Sequence, residues 1–401
     1  KNLILQCGLA IGLGMSVYAT EPGGWRGDGT GRYPHVKGIE ALDQGRNVVW
    51  QTEMPAWSNA SPIITGSLVF VCAEPDILIC MDKRTGKIRW QRSNSYLDMA
   101  APEEREHVRE KMAEAGKLQK ELKNVQHNLR KLRKKAKKAP KDEAFRTEIE
   151  TCKQKISQLK KELRPLEAFR IPRAHNANGY SSPTPVTDRT FVYVLFGTGV
   201  AAAYDLEGNR QWIRVVEKPK ASWGHSSSPV FVDGRLIIRV RNVHGLDPAT
   251  GETLWTVASK PRWGTSVATE IGGEAVVVTA NGEIIRVRDG EVLASGLHAL
   301  DYCAPLVHEG IVYFIEHGGK AYRLPPTADG SAKPELLWKT TPPKERYYAS
   351  PLFHDGRIYC INQKAVYSII DAASGEVLKS TKMNSLRRTV YPSVTLVGSC
   401  I

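Results

Sequence analysis

The residues of this 401-residue chain that could do chemistry sit in short stretches, each built around an aromatic ring. They are Trp57 with Asn59; His175, Asn176 and Asn178 with Tyr180; Trp223 with His225; Arg262 with Trp263; Asp301 with Tyr302; Arg346 and Tyr347 with Tyr348; and Arg387 and Arg388 before Tyr391. Rings supply apolar area, and neighbouring Arg, Asn and His groups fix orientation, so such a set suits a polar ligand or an acidic peptide. The competing reading is that the rings are packing residues required by a repeated fold. Catalytic constellations are absent from the same stretches. His225 precedes Ser226, Ser227 and Ser228, but no Gly-x-Ser-x-Gly elbow presents a serine. The 10 histidines show no metal-ligand spacing. Phe196-Gly-Thr-Gly-Val200 joins two strands and opens no helix, so it makes no phosphate cradle. Asp28 and Thr30 do not complete a calcium loop. After Cys7 the cysteines are Cys72, Cys80, Cys152, Cys303, Cys360 and Cys400, none in a Cys-x-x-Cys pair. Cys72 and Cys80 could flank one hairpin and bridge; alternatively all six are small buried hydrophobes.

A second chemical feature is charge. The formal net charge is +14, and the segment Glu103–Glu167 alone contributes +8 of it. Its most basic part carries Arg130, Lys131, Arg133, Lys134, Lys135, Lys137, Lys138 and Lys141 with no acid between them. Such a run can grip an anionic surface or stand as a solvated tip. In a secreted chain the expected partner is a protein or an anionic cell-envelope component, such as a polymer or lipid headgroups. No specific nucleic acid is expected.

The elements that must position these groups follow from a repeat. Asp247-Pro-Ala-Thr-Gly-Glu-Thr-Leu-Trp255 recurs at Asp82–Trp90 and Asp371–Leu378, and in shortened form at Asp205–Trp212 and near Leu293. Each copy reads as strand, tight turn, strand, with the Asp bonding the turn and the Gly taking a positive φ. Trp50, Trp90, Trp212, Trp255 and Trp338, with Leu293 and Leu378 in the same role, recur about every 40 residues once one long step is set aside. Blades open with an aromatic and often Ser/Ala-Pro, and hairpin turns follow at Asp233-Gly234, Glu309-Gly310 and Asp355-Gly356. The fold predicted is all-β: a propeller of seven to eight four-stranded blades, six of them complete, with a seventh starting at Tyr391 and the C-terminus incomplete. Arg46–Gln51 is expected to close the ring as an outer strand of the last blade.

The long step hides an insertion. Ala115, Leu118, Leu122, Val125, Leu129, Leu132 and Ala136 form one heptad seam, and Phe145, Ile149, Cys152, Ile156, Leu159, Leu163 and Leu166 form another. Folding about Pro140 pairs Ala136 with Phe145, Leu122 with Leu159 and Ala115 with Leu166. This predicts an antiparallel coiled-coil hairpin on the order of 35 Å long, its basic run at the tip. The domain reading is a signal peptide at 1–19, a glycine-rich lead-in at 20–45, propeller at 46–100, coiled-coil hairpin at 101–168 and propeller again at 169–401. Lys1, the apolar Leu3–Val17 and the small residue Ala19 carry the signal reading, and the run is short for a membrane span. A periplasmic or secreted protein follows, with no transmembrane helix in the mature chain.

The repeated Asp-x-x-Thr-Gly-x-x-x-Trp turn, with its Ser-Pro strand starts, resembles the PQQ-type propeller repeat over roughly residues 46–100 and 170–401. That repeat is shared by quinoprotein alcohol dehydrogenases and outer-membrane assembly factors of the BamB type, and the likeness favours eight blades. The dehydrogenases bind PQQ over the channel with calcium, two adjacent cysteines and an Asp base. Here Cys303 stands alone between Tyr302 and Ala304, with no adjacent cysteine. The reading is therefore a non-catalytic binding or assembly scaffold acting through one face and the basic arm, with no cofactor. The alternative is a PQQ-dependent oxidoreductase with a site at the channel mouth.

Overall fold

The structure, a computed structural model, describes residues 23–36, 38, 47–139 and 142–401. The expected signal segment, Arg46 and Lys141 lie outside the described residues. Six four-stranded antiparallel sheets follow one another along the chain. The first has strands Ile63–Thr65, Leu68–Ala73, Ile77–Asp82 and Ile88–Ser93, hydrogen-bonded in that order. The other five span residues 186–215, 230–257, 267–294, 306–340 and 352–382, and we call the six blades 1 to 6. Middle strands are buried on both faces, whereas the outer Ile88–Ser93 alternates between half-buried and exposed, as a strand with one solvated face should. The cores lie between blades: Phe70, Leu78 and Cys80 of blade 1 pack on Val192, Phe196 and Tyr204 of blade 2.

The repeated turn is closed by its own side chain. Asp82 Oδ1 accepts the Arg84 and Thr85 amides at 3.0 Å each, and Asp247 and Asp371 do the same in their turns. The tryptophans then join blade to blade. Trp90 Nε1 donates to Leu206 O at 3.0 Å, Trp212 Nε1 to Pro248 O at 2.8 Å, Trp255 Nε1 to Val287 O at 2.9 Å and Trp338 Nε1 to Ala372 O at 3.0 Å. Each ring lies over the glycine of the next blade's turn. At Gly251, φ is 72°, and a Cβ there would stand 2.6 Å from the Trp212 ring, so both backbone and space demand glycine.

Trp50 makes the same joint one blade earlier, donating from Nε1 to Lys83 O at 2.8 Å in the turn of blade 1. The strand expected around it is not formed: residues 47–62 carry no strand. A strand needs a hydrogen-bonded neighbour, and no described sheet offers one there. Trp50 thus keeps the joint of an outer strand without the ladder.

A second relay circles the axis at the blade openings. Ser61 N donates to Thr184 Oγ1, Thr184 N to Ser228 Oγ, Ser228 N to Thr265 Oγ1, Ala304 N to Ser350 Oγ and Ser350 N to Ser393 Oγ, at 3.0–3.2 Å. This accounts for the recurring Ser/Thr at these starts: each hydroxyl satisfies a buried amide of the preceding blade. Ala304 has no hydroxyl and breaks the relay.

The glycine-rich lead-in is part of the propeller. Gly23 O accepts Thr187 N at 2.9 Å in blade 2. The Arg26 guanidinium donates from Nη1 to Pro351 O at 2.8 Å and from Nη2 to Val394 O. Arg32–Tyr33 pairs in parallel with Leu396–Val397, the inner strand that follows blade 6. Residues 23–33 therefore cross the axis and tie blade 2 to blade 6 and to the seventh inner strand.

Between blades 1 and 2 stands a helical hairpin, α1 (Arg105–Ala136) and α2 (Glu143–Leu163), the second capped by Asp142 Oδ1 accepting Ala144 N. Leu122, Leu159 and Leu163 are buried together with Leu118, Val125 and Ile156 packed against them, in the register expected. The cysteine bridge does not form. Cys72 lies opposite Leu78 and Cys80 opposite Phe70, so the two are never cross-strand partners, and both are buried and free.

Candidate binding face

The strand-to-strand connections between blades gather at one end of the propeller, and the rings expected there meet. Trp263 stacks on Tyr302 with centroids 5.5 Å apart, Tyr302 meets Tyr348 edge-on at 4.8 Å, and Tyr348 stacks on Tyr391 at 4.9 Å. This forms a continuous aromatic rim from blade 4 past blade 6. Beyond it His175 stacks on Trp223 at 3.9 Å, and the Trp263 indole donates to Gly224 O at 3.2 Å. Packing alone does not account for rings left half in solvent: Trp57 is 49%, Trp223 53% and Tyr391 56% exposed.

The polar candidates divide. Asn59 Nδ2 donates to Ala177 O and Asn178 O, and Asn178 Nδ2 to Trp223 O and His225 O. Both shape the loop, as does Tyr180, whose hydroxyl donates to Pro172 O at 2.7 Å. His225 is buried and donates from Nε2 to Ser227 O at 3.0 Å. Burial, and after it the Arg239 cation, lower its pKa to about 4, so it stands beneath the face as a neutral ring. Arg262 is ion-paired with Asp301. Arg346 lies against the Tyr348 hydroxyl at 3.3 Å, and Arg388 is exposed. A shallow cleft opens between Lys220, Arg241, Arg262 and Trp263.

Two residues that the sequence reading passed over join the rim. Glu316 and His317 place ligand atoms within 4.8 Å of each other and of Asp301. Nothing in their spacing signals this, because Glu316 comes from the far end of a blade 5 strand. Both Glu316 oxygens are engaged, accepting the Asp301 and Tyr302 amides at 2.6 and 2.9 Å, and burial still holds its pKa above the usual carboxylate value. Cys303 is enclosed, its Sγ 3.2 Å from Ile315 O, and a Cβ at Gly264 would lie 2.0 Å from Cys303 O. Asp301 is paired with Arg262 and Glu316 bonded to two amides, and a single cysteine stands where the resemblance implies two adjacent ones.

The arm is anchored beside this face. Lys218 Nζ donates to Glu167 O, Ala168 O and Arg170 O at 2.7–2.9 Å and lies 4.7 Å from the centre of the Tyr96 ring. Burial lowers its pKa to about 8. Arg130, Lys131, Arg133, Lys134, Lys135, Lys137 and Lys138 are all exposed at the far end of α1, where cations also complement the helix dipole. Among the described residues, no helix is long and apolar enough to cross a membrane.

The fold and these positions can be set beside known proteins. A comparison with curated proteins gives no sequence match. Among solved structures the chain is similar to BamB from Moraxella catarrhalis, at 14% identity and TM-score 0.51, covering 84% of this chain and 77% of that one. It is also similar to a europium-containing methanol dehydrogenase, at 10% identity and TM-score 0.52, covering 88% and 75%. At these identities the likeness concerns the fold, and the two neighbours include both a dehydrogenase and an assembly factor. A family profile described as outer membrane protein assembly factor BamB matches residues 36–116 and 239–391. Those residues make up more than half of the chain, which therefore belongs to this BamB family of PQQ-like repeat propellers.

Proposed function

We propose that the chain is a non-catalytic binding scaffold of the cell envelope, periplasmic or secreted once residues 1–19 are removed. It holds a protein partner on the ring-lined face and reaches an anionic envelope component with the arm tip. The observation that carries this reading is the rim Trp263–Tyr302–Tyr348–Tyr391, continued by the half-exposed Trp223 and Trp57. Exposed aromatics grouped with arginines are what protein contacts concentrate. The family's assembly factor lends the further proposal that the partner is engaged in outer-membrane assembly.

Site-specific photocrosslinking in intact cells tests it. Probes at Trp223, Tyr348 and Tyr391 should capture one common partner, and probes on the opposite hairpin turns at Asp233, Glu309 and Asp355 should not. Equal capture from both ends, or none from the rim, refutes the reading. The PQQ-dependent alternative is checked on the purified protein: no alcohol-dependent dye reduction is expected with added PQQ and calcium, and sustained turnover would reverse the assignment.

A further inference from the structure

The ring-lined face and the opposite end of the propeller carry opposite charge. The connections leading from blade 2 to the seventh inner strand are residues 216–229, 258–266, 295–305, 341–351 and 383–395, and they hold eight Lys or Arg against three Asp or Glu. The second-to-third-strand turns of blades 3 to 6 lie at the same end and add two of each sign. At the far end, the first-to-second and third-to-fourth turns of these blades hold nine Asp or Glu against two Lys or Arg.

The acids of the ring-lined end are already engaged. Glu217 pairs with Arg241, Asp301 with Arg262 and Glu345 with Lys364. Glu283 accepts the Ser259 hydroxyl at 2.7 Å, and Glu316 accepts two amides. The cations are not engaged in this way. Lys220, Lys260, Lys344, Arg387 and Arg388 are exposed, and none has an ion pair among the described residues. They also keep step with the rings: Lys220, Lys260 and Arg388 stand three residues before Trp223, Trp263 and Tyr391. Cations gathered without counter-charges repel one another. An acidic partner relieves that repulsion and is steered in by the same field. A partner acidic throughout would leave the rings without apolar contacts. Because the cation and ring pairs are spread from blade 2 to beyond blade 6, an extended segment reaches more than one of them.

We propose that the ring-lined face binds an extended acidic polypeptide segment. Its carboxylates meet Lys220, Lys260 and Arg388, and the apolar side chains between them lie on the neighbouring rings. The assignment rests on the reading of this face as a protein-contact surface and adds the chemistry of what docks there.

Fluorescence anisotropy on the full chain tests this with a labelled peptide of Glu-Glu-Phe-Ser repeats and two controls, in which Gln replaces Glu or Ser replaces Phe. The acidic aromatic peptide should saturate below about 1 mM, and each control should bind about tenfold more weakly. Raising salt from about 0.1 M to about 1 M should weaken the peptide about tenfold as the Debye length shrinks. The double variant Lys260→Glu, Arg388→Glu should lose about tenfold in affinity with its thermal midpoint unchanged, since both side chains are exposed. Changing Lys134, Lys135, Lys137 and Lys138 to Gln should leave the affinity as it was. No saturation at about 1 mM, equal binding of either control, indifference to salt, full affinity in the double variant, or loss in the arm variant would each overturn the proposal. Phosphatidylglycerol vesicles that bind the wild type and not the double variant would give the face to lipid and overturn it too. Photocrosslinking from Tyr348 in cells separates this proposal from the reading beneath it. Undiminished capture in the double variant removes the acidic segment and leaves the contact surface, whereas no capture from the wild type removes the contact surface itself.

Discussion

Replacing His225 with Gln should flatten the acid side of the stability profile. The ring is 3% exposed and gives its Nε2 proton to Ser227 O. Burial first, then Arg239, hold its pKa at about 4 against the ordinary histidine value of 6.5. As pH falls through 6.5 the unfolded chain takes up a proton that the folded chain refuses until about pH 4. The unfolded state thus binds more protons across that window, so stability is full above it and declines within it. Between about pH 7.5 and about pH 5 the loss from this one site is about 2 kcal/mol. Two other groups share part of the range. Asp76, raised to about 6 mainly by burial, works in the opposite direction from 3.8 upward. Glu217 is pushed up by burial but held at about 2 by bonds from His244 and the Asn242 and Arg241 amides, and it loses its contribution only below 4.5. The difference between wild type and His225→Gln isolates the imidazole, because Gln can still donate to Ser227 O and carries no titrating proton. Urea unfolding of both proteins at the two pH values should show a loss about 2 kcal/mol smaller in the variant. Equal losses would refute the burial argument.

Ala304→Ser should complete the hydroxyl relay at its one gap and raise stability by about 1 kcal/mol in urea unfolding; a lower midpoint would mean that the packed site has no room for the oxygen. Lys218→Met should remove three carbonyl partners at the arm base and cost the local structure about 2 kcal/mol. Hydrogen exchange should then rise at 167–170 while blades 1 and 2 keep their protection. Changing Lys134, Lys135, Lys137 and Lys138 to Gln should alter stability by under ~0.5 kcal/mol and weaken salt-sensitive binding to vesicles containing anionic lipid. Leu122→Asp, a charge set against Leu159, should melt the arm by circular dichroism and leave the propeller folded.

What could be read from the chain was local or periodic. The Asp-x-x-Thr-Gly turn is legible because Asp82 and Asp247 bond amides two and three residues ahead. The hairpin turns at Asp233, Glu309 and Asp355 take positive φ together with the glycines that follow, as the dipeptides foretell. The hairpin register was legible because two heptad seams must match about one turn. The missing parts depend on contacts between distant positions. Arg26 reaches Pro351 across 325 residues, and no pattern near Arg26 announces it. Glu316 joins Asp301 only because a blade brings a strand end back beside its own start. The rim was half legible: the rings recur with the blade period, but that period is the same for a ring that packs and one that binds. Asn59, Asn178 and His225, read as contact groups, also hold backbone carbonyls of the loops that carry the rings.

The joint between blades 1 and 2 has a mechanical meaning for the arm. Trp90 is bonded to Leu206, Tyr96 Oη donates to Thr198 O at 2.9 Å, and Arg210 Nη1 donates to Asp98 O at 3.0 Å. The chain is therefore clamped to blade 2 before it enters α1, and Lys218 clamps it again on return. A load applied at Lys134 or Lys138 acts through a lever tens of ångströms long, and its fulcrum is this double clamp. Pull on the tip therefore enters the wheel at the seam between blades 1 and 2. Lengthening or shortening the arm by whole heptads would change the reach of the lever without altering its hinge.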